Sequence, residues 1–265
     1  MSRWDDSGTW VGHDLRREVF FFSSAGAELY GSTYAAASPT SSLGVVICNS
    51  WGFEGNQAAR IVHPVSIAVA KAGGVAINFH YPGFGDSHGG EGADMDGLAG
   101  AAVDAVRAAS LRHPGRRWVL AGLMLGASVA CLAADRGAEI EQLLLVQPAL
   151  RPGPYFARLE RASKRSFGTP ASAPAQAPGF AYGYRLAPSL LESAPLADTA
   201  VEAALARFAG GGAIVRYAKP DPVEEAPQRF EQFCAPGVWR FGSRDNPALT
   251  RATAECLRAR VKAVA

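Results

Sequence analysis

Short uninterrupted apolar runs alternate with longer segments of helical periodicity along most of the chain. The runs at 44–48, 75–79 and 142–146 predict strands that are covered on both faces. Residues 57–72 and 94–111 lie between such runs and predict helices, the second with apolar side chains at helical spacing. Those side chains belong to Met95, Leu98, Ala102, Val106 and Ala109. The alternation predicts an α/β protein with a doubly wound, mostly parallel sheet.

The two ends of the chain add elements to this sheet. Residues 18–23 and 29–35 are β-rich runs separated by a Gly26 turn, which predicts an antiparallel hairpin at a sheet edge. Near the other end, residues 213–217 and 237–241 predict two further strands. An amphipathic helix is predicted over 248–264.

The regular alternation breaks after Gln147. A basic helical segment is predicted over 155–165, and residues 166–180 are rich in Ser, Ala, Pro and Gly, which predicts a mobile segment. Two helical pieces follow, around 188–193 and 198–208. We therefore expect a core formed by residues 1–148 and 209–265, with a helical cap insertion over 149–208.

The stretch from Trp118 to Ala133 predicts a buried strand, a sharp turn and an apolar helix. Gly122 and Gly126 hold the glycine positions of the G-x-S-x-G motif, which places a nucleophile at this kind of turn. The residue between them is Met124, whose thioether has no proton to lose. The glycines also have a purely structural interpretation, in which the sharp turn needs them to pack against the sheet.

The histidine expected of a catalytic triad is missing as well. The triad order in this motif's fold is nucleophile, acid, histidine, but all five histidines precede the turn, the last being His113. Asp221 follows the strand at 213–217, where the acid is usual, yet its proline neighbours also suit an ordinary turn. Loss of both serine and histidine removes the pair that activates an acyl-transfer nucleophile.

With these pieces placed, the chain resembles the α/β-hydrolase superfamily, and more narrowly the hydrolase-like proteins associated with exosortase and exopolysaccharide gene clusters. The resemblance implies an α/β-hydrolase fold with a cap and implies little about chemistry. It rests on five stretches, Tyr81-Pro-Gly-Phe-Gly-Asp-Ser-His-Gly89, Gly122-Leu-Met-Leu-Gly-Ala127, Leu145-Val-Gln-Pro148, Ala181–Leu191 and Gly237-Val-Trp239.

Although the serine and the histidine are missing, the backbone groups that could bind a polarised oxygen are still present in the sequence. The loop containing Ser50, Trp51 and Gly52 lies where this superfamily has its first oxyanion N–H. Leu125 follows the turn at a helix N-terminus, where backbone donors favour negative charge. The sequence therefore predicts a site for an anion, carbonyl or carboxylate.

An acid–base pair could come from the loop after the strand at 75–79. His80 and Asp86 lie there, and His80 beside Ser50 or Asp86 could transfer protons. The alternative is that His80 caps a strand and Asp86 stabilises a turn. Ser128 lies about one helical turn past the nucleophile position and is expected to point away from it. The histidine spacing matches no standard zinc pattern, so no metal is predicted.

The cap and the loops offer further binding groups. Arg158, Arg161 and Arg165 share a helical face that suits a phosphate, a phosphopantetheine arm, an acidic glycan or an anionic lipid surface, or is simply solvated. An apolar pocket between sheet and cap is also predicted. Its candidate lining is Trp51, Phe53, Tyr81, Phe84, Met124, Tyr155 and Phe156.

Composition and charge limit the compartment and the kinds of partner that we expect. The chain of 265 residues is 48% apolar with a net charge of +2, which gives no global reason to expect nucleic acid. The polar N-terminus lacks a secretory signal and the glycines interrupt the longest apolar run, so we expect a cytoplasmic protein without a membrane span. Four unpaired cysteines predict reduced thiols. No cofactor is predicted, and a homodimer is left open.

Two functional hypotheses follow. In the first, the protein binds a small acyl, ester or thioester-type molecule, free or carrier-bound, and transfers, cyclises or hydrolyses it without an acyl-serine intermediate. In the second, it is a catalytically inactive pseudoenzyme that serves as a binding or scaffold partner in a biosynthetic gene cluster. Both exclude a conventional serine hydrolase.

Overall fold

A computed structural model shows the architecture of the chain. It describes residues 3–4, 10–12, 14–89, 93–167, 180–181, 184–217, 230–235 and 247–263. The predicted mobile segment at 166–180 and the predicted strand at 237–241 lie largely or wholly outside the described residues.

A ten-stranded sheet forms the centre of the described structure, in the order β1-β2-β3-β4-β6-β5-β7-β8-β11-β12. The six strands from β6 to β12 in that order pair in parallel, which confirms the predicted doubly wound, mostly parallel sheet. The strands are β1 (Arg3–Trp4), β2 (Trp10–Gly12), β3 (Leu15–Ser24), β4 (Ala27–Ala36), β5 (Leu43–Cys48), β6 (Val75–Phe79), β7 (Arg117–Leu123), β8 (Gln142–Val146), β9 (Phe180–Ala181), β10 (Tyr184–Arg185), β11 (Gly211–Tyr217) and β12 (Phe230–Ala235). β9 and β10 form a separate small antiparallel pair.

The first long strands form the predicted hairpin. β3 and β4 pair antiparallel from Leu15 opposite Ala36 to Ser24 opposite Ala27. Ala25 and Gly26 close the turn with φ values of 47° and 81°. β2 pairs with the first residues of β3, so the hairpin lies near the edge of the sheet without forming its outermost strand.

Helices cover both faces of the sheet. They are α1 (Gly52–Lys71), α2 (Met95–Arg112), α3 (Leu125–Asp135), α4 (Pro152–Phe167), α5 (Pro188–Arg207) and α6 (Pro247–Lys262). α1 and α6 share one apolar cluster with the strands. α2, α3, α4 and α5 share another cluster on the opposite face, so each sheet face is buried as its apolar runs require.

Several elements differ from the prediction, and the short strands β1, β2, β9 and β10 were not predicted. α1 begins at Gly52 instead of residue 57, because tertiary packing overrides the low helix propensity of Gly52 and Gly55. α5 is one helix that continues through Pro195, where two pieces were predicted, because its buried face packs along its whole length. β12 was not predicted. Its short, half-exposed pattern lacks the continuous apolar run that marks a central strand.

The segment predicted as a cap contains α4, β9, β10 and α5. α4 packs against α5, and α5 also contacts α2 and α3. The boundaries of the cap stay a prediction. Within the described part of the chain, none of the helices combines the length and the apolar character that crossing a membrane requires.

Candidate functional site

The turn between β7 and α3 has the backbone of a nucleophile elbow. Met124 has a φ of 52° and a ψ of −116°, a conformation that L-residues rarely adopt. Its backbone N–H donates to the carbonyl of Val146 at 2.9 Å. Its own carbonyl accepts from the N–H groups of Ala127 and Ala149 at 3.0 Å. Neighbouring backbone therefore holds the strained turn in place.

The two glycines of the turn are required by close packing. A Cβ atom on Gly126 would lie 2.2 Å from the carbonyl oxygen of Cys48, at the end of β5. One on Gly122 would lie 2.3 Å from the carbonyl oxygen of Gly126. Both contacts are with backbone, which cannot move aside as a flexible side chain can. The structure thus supplies a packing reason for the glycines that needs no catalysis.

The side chain of Met124 belongs to the apolar core. It is 3% exposed and lies in the cluster formed with α1 and α6, whereas the next residue, Leu125, lies in the cluster on the other face. A thioether in such surroundings can neither attack a carbonyl nor donate a hydrogen bond. The elbow therefore keeps its shape and contributes apolar surface.

A buried polar cluster lies at the end of the neighbouring strand, β5. The Tyr155 hydroxyl on α4 donates to Glu54 Oε2 at 2.5 Å, at the short end of the range for O–H···O hydrogen bonds. The Ser50 hydroxyl donates to the same oxygen at 3.4 Å and lies 3.4 Å from the Tyr155 hydroxyl. All three residues are at most 3% exposed. We call Ser50, Glu54 and Tyr155 the α1 polar cluster.

The electrostatics keep the Tyr155 hydroxyl protonated. Burial raises the pKa of Tyr155 well above its ordinary value, and the adjacent Glu54 carboxylate raises this pKa further. Arg158, whose guanidinium carbon lies 6.0 Å from the centre of the Tyr155 ring, acts in the opposite direction. Glu54 lies in the first turn of α1, where the helix dipole favours a negative charge. Tyr155 is therefore a permanent donor at neutral pH.

The sequence interpretation missed Glu54 and assigned Tyr155 only to apolar lining. A signal was present, since Glu54 is an acidic residue directly after a continuous apolar strand and a Trp-Gly-Phe loop. Its burial depends on Tyr155, which is 101 residues away in sequence. No local pattern predicts that contact.

Aromatic side chains connect the α1 polar cluster to the β6–α2 loop. Trp51 makes edge contacts with Phe156 and Tyr184, with centroid distances of 6.3 and 6.1 Å. Tyr184 lies 6.1 Å from Phe84, and Phe156 contacts Tyr155 at 5.2 Å. Trp51, Phe84 and Phe156, three of the predicted lining residues, are thus linked along one edge of the sheet. Gly52 begins α1 with a φ of 61°, and a Cβ there would meet Tyr184 at 3.5 Å. The side chain of Phe53 is outside what the structure describes.

His80 and Asp86 are close to each other but form a turn. The backbone N–H of Asp86 donates to His80 Nδ1 at 3.1 Å, and an Asp86 carboxylate oxygen lies 3.8 Å from the same nitrogen. The His80 ring stacks on Tyr30 with a centroid distance of 4.6 Å. Burial lowers the pKa of His80, and Asp86 opposes this shift. His80 follows β6, two strands from the elbow, or about 10 Å at ordinary strand spacing.

Two other hydroxyl groups, those of Tyr81 and Ser128, donate hydrogen bonds to backbone carbonyls. Tyr81 is buried and donates to the carbonyl of Asn49 at 3.0 Å, so it fixes the loop that carries Ser50. The Ser128 hydroxyl donates to the carbonyl of Ala149 and does not face a base. Both observations agree with structural roles.

The basic residues of α4, and Arg151 just before it, have different surroundings. Arg158 is half-buried beside Tyr155, whereas Arg161 is exposed and Arg151 lies 3.9 Å from Asp198. The side chain of Arg165 and all of Asp221 lie outside the described residues. Across the described ranges, no three His, Cys, Asp or Glu side chains are grouped as a metal site would require.

Comparison with solved structures shows which known fold this architecture matches. No protein-family profile matches the sequence, and no curated protein matches it. Est1E from Butyrivibrio proteoclasticus is similar in structure, with a TM-score of 0.63 and 16% identity over 92% of this chain and 96% of that one. An esterase from Pyrobaculum calidifontis gives a TM-score of 0.61 and 15% identity, over 94% and 86% of the two chains.

An α/β serine hydrolase homologue from Coxiella burnetii is also similar, with a TM-score of 0.55 and 14% identity over 93% of this chain and 96% of that one. Identities this low establish the architecture alone. The chain has the α/β-hydrolase fold.

Proposed function

We propose that the protein binds a small acyl, ester or thioester-type molecule between the elbow and α4, and transforms it without an acyl-serine intermediate. The observation that carries this proposal is the α1 polar cluster, which places an ionisable pair beside an elbow without a nucleophile. Est1E, which shares the fold, has been seen with ferulic acid bound. A carboxylic acid of that kind belongs to the proposed ligand class.

The chemistry proposed for this site is proton transfer and oxygen stabilisation. The Tyr155 hydroxyl, which donates to Glu54 in this structure, would turn to donate to the carbonyl or developing oxyanion of a ligand. Glu54 could then take up the proton of a hydroxyl nucleophile, through Ser50 or directly. Backbone N–H groups at Trp51 and Leu125 would add to oxyanion stabilisation. Transfer, cyclisation and hydrolysis all need these two elements, and none of them needs a covalent serine.

A second candidate is a pseudoenzyme that binds the same class of ligand or a partner without turnover. The position of Met124 in the apolar core supports it, as does the stacking of His80 on Tyr30. Neither observation supplies a reaction. The two candidates differ in whether removing the Glu54 charge changes a rate.

The test measures hydrolysis of p-nitrophenyl acetate, butyrate and octanoate by the wild-type protein and by Glu54→Gln, which keeps the side-chain volume. We expect slow turnover that falls about 100-fold in Glu54→Gln, the usual loss for a general base. Ser128→Ala is the control, since it removes another buried hydroxyl next to the elbow and should leave the rate unchanged. Fluorophosphonate probes should not label the protein.

Each other result has a definite meaning. A rate that falls in His80→Asn but not in Glu54→Gln would assign the acid–base role to His80 and Asp86. Saturable butyrate binding by calorimetry, with equal rates in all variants and in buffer, would establish the pseudoenzyme. Stoichiometric labelling of any serine would overturn both candidates.

A further inference from the structure

A second polar cluster surrounds Arg17, on the side of the β3–β4 hairpin that faces α1. Arg17 is opposite Tyr34 in the strand register and Phe21 is opposite Tyr30, so these four side chains share one face. Arg17 Nη2 donates to the Tyr30 hydroxyl at 2.8 Å, and its guanidinium carbon lies 5.7 Å from the centre of the Tyr34 ring. On α1, His63 Nδ1 lies 3.1 Å from the Tyr34 hydroxyl.

Among the residues that the structure describes, no carboxylate pairs with the positive charge of Arg17, and its buried Nε lacks a hydrogen-bond partner. The side chain is half-buried, so this charge is incompletely solvated, and an unpaired buried donor is costly. Seven of the other arginines of the described chain have a carboxylate within 4.0 Å, namely Arg107, Arg112, Arg117, Arg136, Arg151, Arg207 and Arg260.

Further donors surround the guanidinium. The Tyr30 hydroxyl accepts from Arg17, and the structure gives its own proton no acceptor among the described residues. His80, stacked on Tyr30, accepts the Asp86 N–H at Nδ1, so its Nε2 carries the proton and is a donor. The field of Arg17 also reaches both rings, since it lowers the pKa of His63 and of His80 in addition to the larger effect of burial.

We propose that this cluster is a binding site for the oxyanion of a small molecule, of the phosphate monoester class, with an aromatic or apolar body. The oxyanion would accept from the Arg17 guanidinium and the Tyr30 hydroxyl, and it would supply a negative charge that no described carboxylate provides there. The body would lie on Val19 and Phe21, which are 37% and 53% exposed on the same face. The carboxylate of Asp86 is 71% exposed and lies on the Nδ1 side of the His80 ring, away from Nε2.

This site is independent of the proposed function, because none of its residues belongs to the α1 polar cluster. The test is isothermal titration calorimetry with phenyl phosphate at low ionic strength. We expect binding that weakens about 10- to 100-fold in Arg17→Gln, the range for losing a hydrogen bond to a charged group. Arg112→Gln is the matched control, since Arg112 also lies over an aromatic ring but has Glu18 as its counter-ion.

Two further measurements keep the test decisive if Arg17→Gln folds poorly. Tyr30→Phe keeps the ring and should weaken binding by a smaller factor than Arg17→Gln. Histidine NMR should show the pKa of His63 and of His80 rising when phenyl phosphate is bound, because an anion stabilises the protonated rings. No binding at millimolar phenyl phosphate, or equal weakening in Arg112→Gln, would overturn the site. Phenyl phosphate binding no more tightly than inorganic phosphate would overturn the part played by Val19 and Phe21.

Discussion

The residues that follow two adjacent strands, β7 and β5, differ in chemical character. β7 ends in an elbow whose strained backbone is intact and whose side chain, Met124, is apolar. β5, its neighbour in the sheet, ends in a loop that leads to a buried carboxylate, Glu54, with two hydroxyl groups on it. The end of β7 therefore has the backbone geometry of an elbow without a reactive side chain. The end of β5 has ionisable groups at buried positions where packing alone would favour apolar ones.

The difference separates two kinds of constraint. At the elbow, Gly122 and Gly126 are fixed by contacts with backbone that any function would have to respect. At the α1 polar cluster, burying a carboxyl group costs free energy that packing does not return. A costly group that is held by specific hydrogen bonds is better evidence for a functional site than a turn that the sheet requires.

The largest effect is expected where packing constrains the elbow. Gly126→Ala should destabilise the protein by about 3 kcal/mol or more, because its Cβ would overlap the carbonyl of Cys48. Gly100→Ala in α2 is the control, since no atom lies within 4 Å of a Cβ there, and it should stabilise by about 0.5–1 kcal/mol. Urea denaturation measures both. Equal stability of the two variants would mean that packing does not fix the elbow.

The next effect concerns the side chain at the elbow. Met124→Ser should destabilise the protein by about 2 kcal/mol or more because it truncates a buried methionine, and serine keeps the Cβ atom, so the strain at a φ of 52° remains. It should gain no reactivity towards fluorophosphonates, since no histidine follows His113 in the sequence. Mass spectrometry checks this expectation. Stoichiometric labelling of the new serine would show that a base already faces the elbow.

A smaller effect compares two buried tyrosines. Tyr155→Phe should destabilise by about 1.5 kcal/mol because Tyr155 donates to a carboxylate, and Tyr81→Phe by about 1 kcal/mol because Tyr81 donates to a neutral carbonyl. Denaturation at neutral pH measures both losses. A larger loss in Tyr81→Phe would argue against an ionised Glu54.

The smallest effect is one of pH. The pKa of both Tyr81 and Tyr155 is raised in the folded protein, so each contributes stability that is complete below the ordinary tyrosine pKa of 10.0. That contribution falls as pH rises above this value, because the unfolded chain then loses protons that the folded chain retains. Thermal denaturation between neutral pH and pH of about 11 should show the decline in the wild type and a weaker decline in either Phe variant.

Much of the fold could be predicted from the sequence because its signals are local. Buried parallel strands give continuous apolar runs, and β5, β6 and β8 were predicted to within one residue. Prediction was wrong where local propensity and tertiary packing disagree. Gly52 and Gly55 favour a loop, yet α1 begins there, and Pro195 should end a helix, yet α5 continues.

The candidate site could be predicted only in part. The elbow was found because its glycine spacing is local, and the structure confirms the strand, turn and helix around Met124. The α1 polar cluster was missed because it depends on a contact between Glu54 and a tyrosine of α4. The sequence left open whether His80 lies beside Ser50 or Asp86 or only caps a strand. His80 lies beside Asp86, and the sequence did not show that the His80 ring stacks on Tyr30.

The contact between Gly126 and the Cys48 carbonyl has a consequence for assigning functions to other proteins of this architecture. Since that contact preserves the turn for reasons of space, a chain of this fold can carry a residue other than serine there and still have a well-superimposed elbow. Backbone superposition at this position then establishes the fold and not an activity. Screening such chains for the identity of the residue at the turn, and for a histidine after it, would separate conventional serine hydrolases from chains that lack the Ser–His pair.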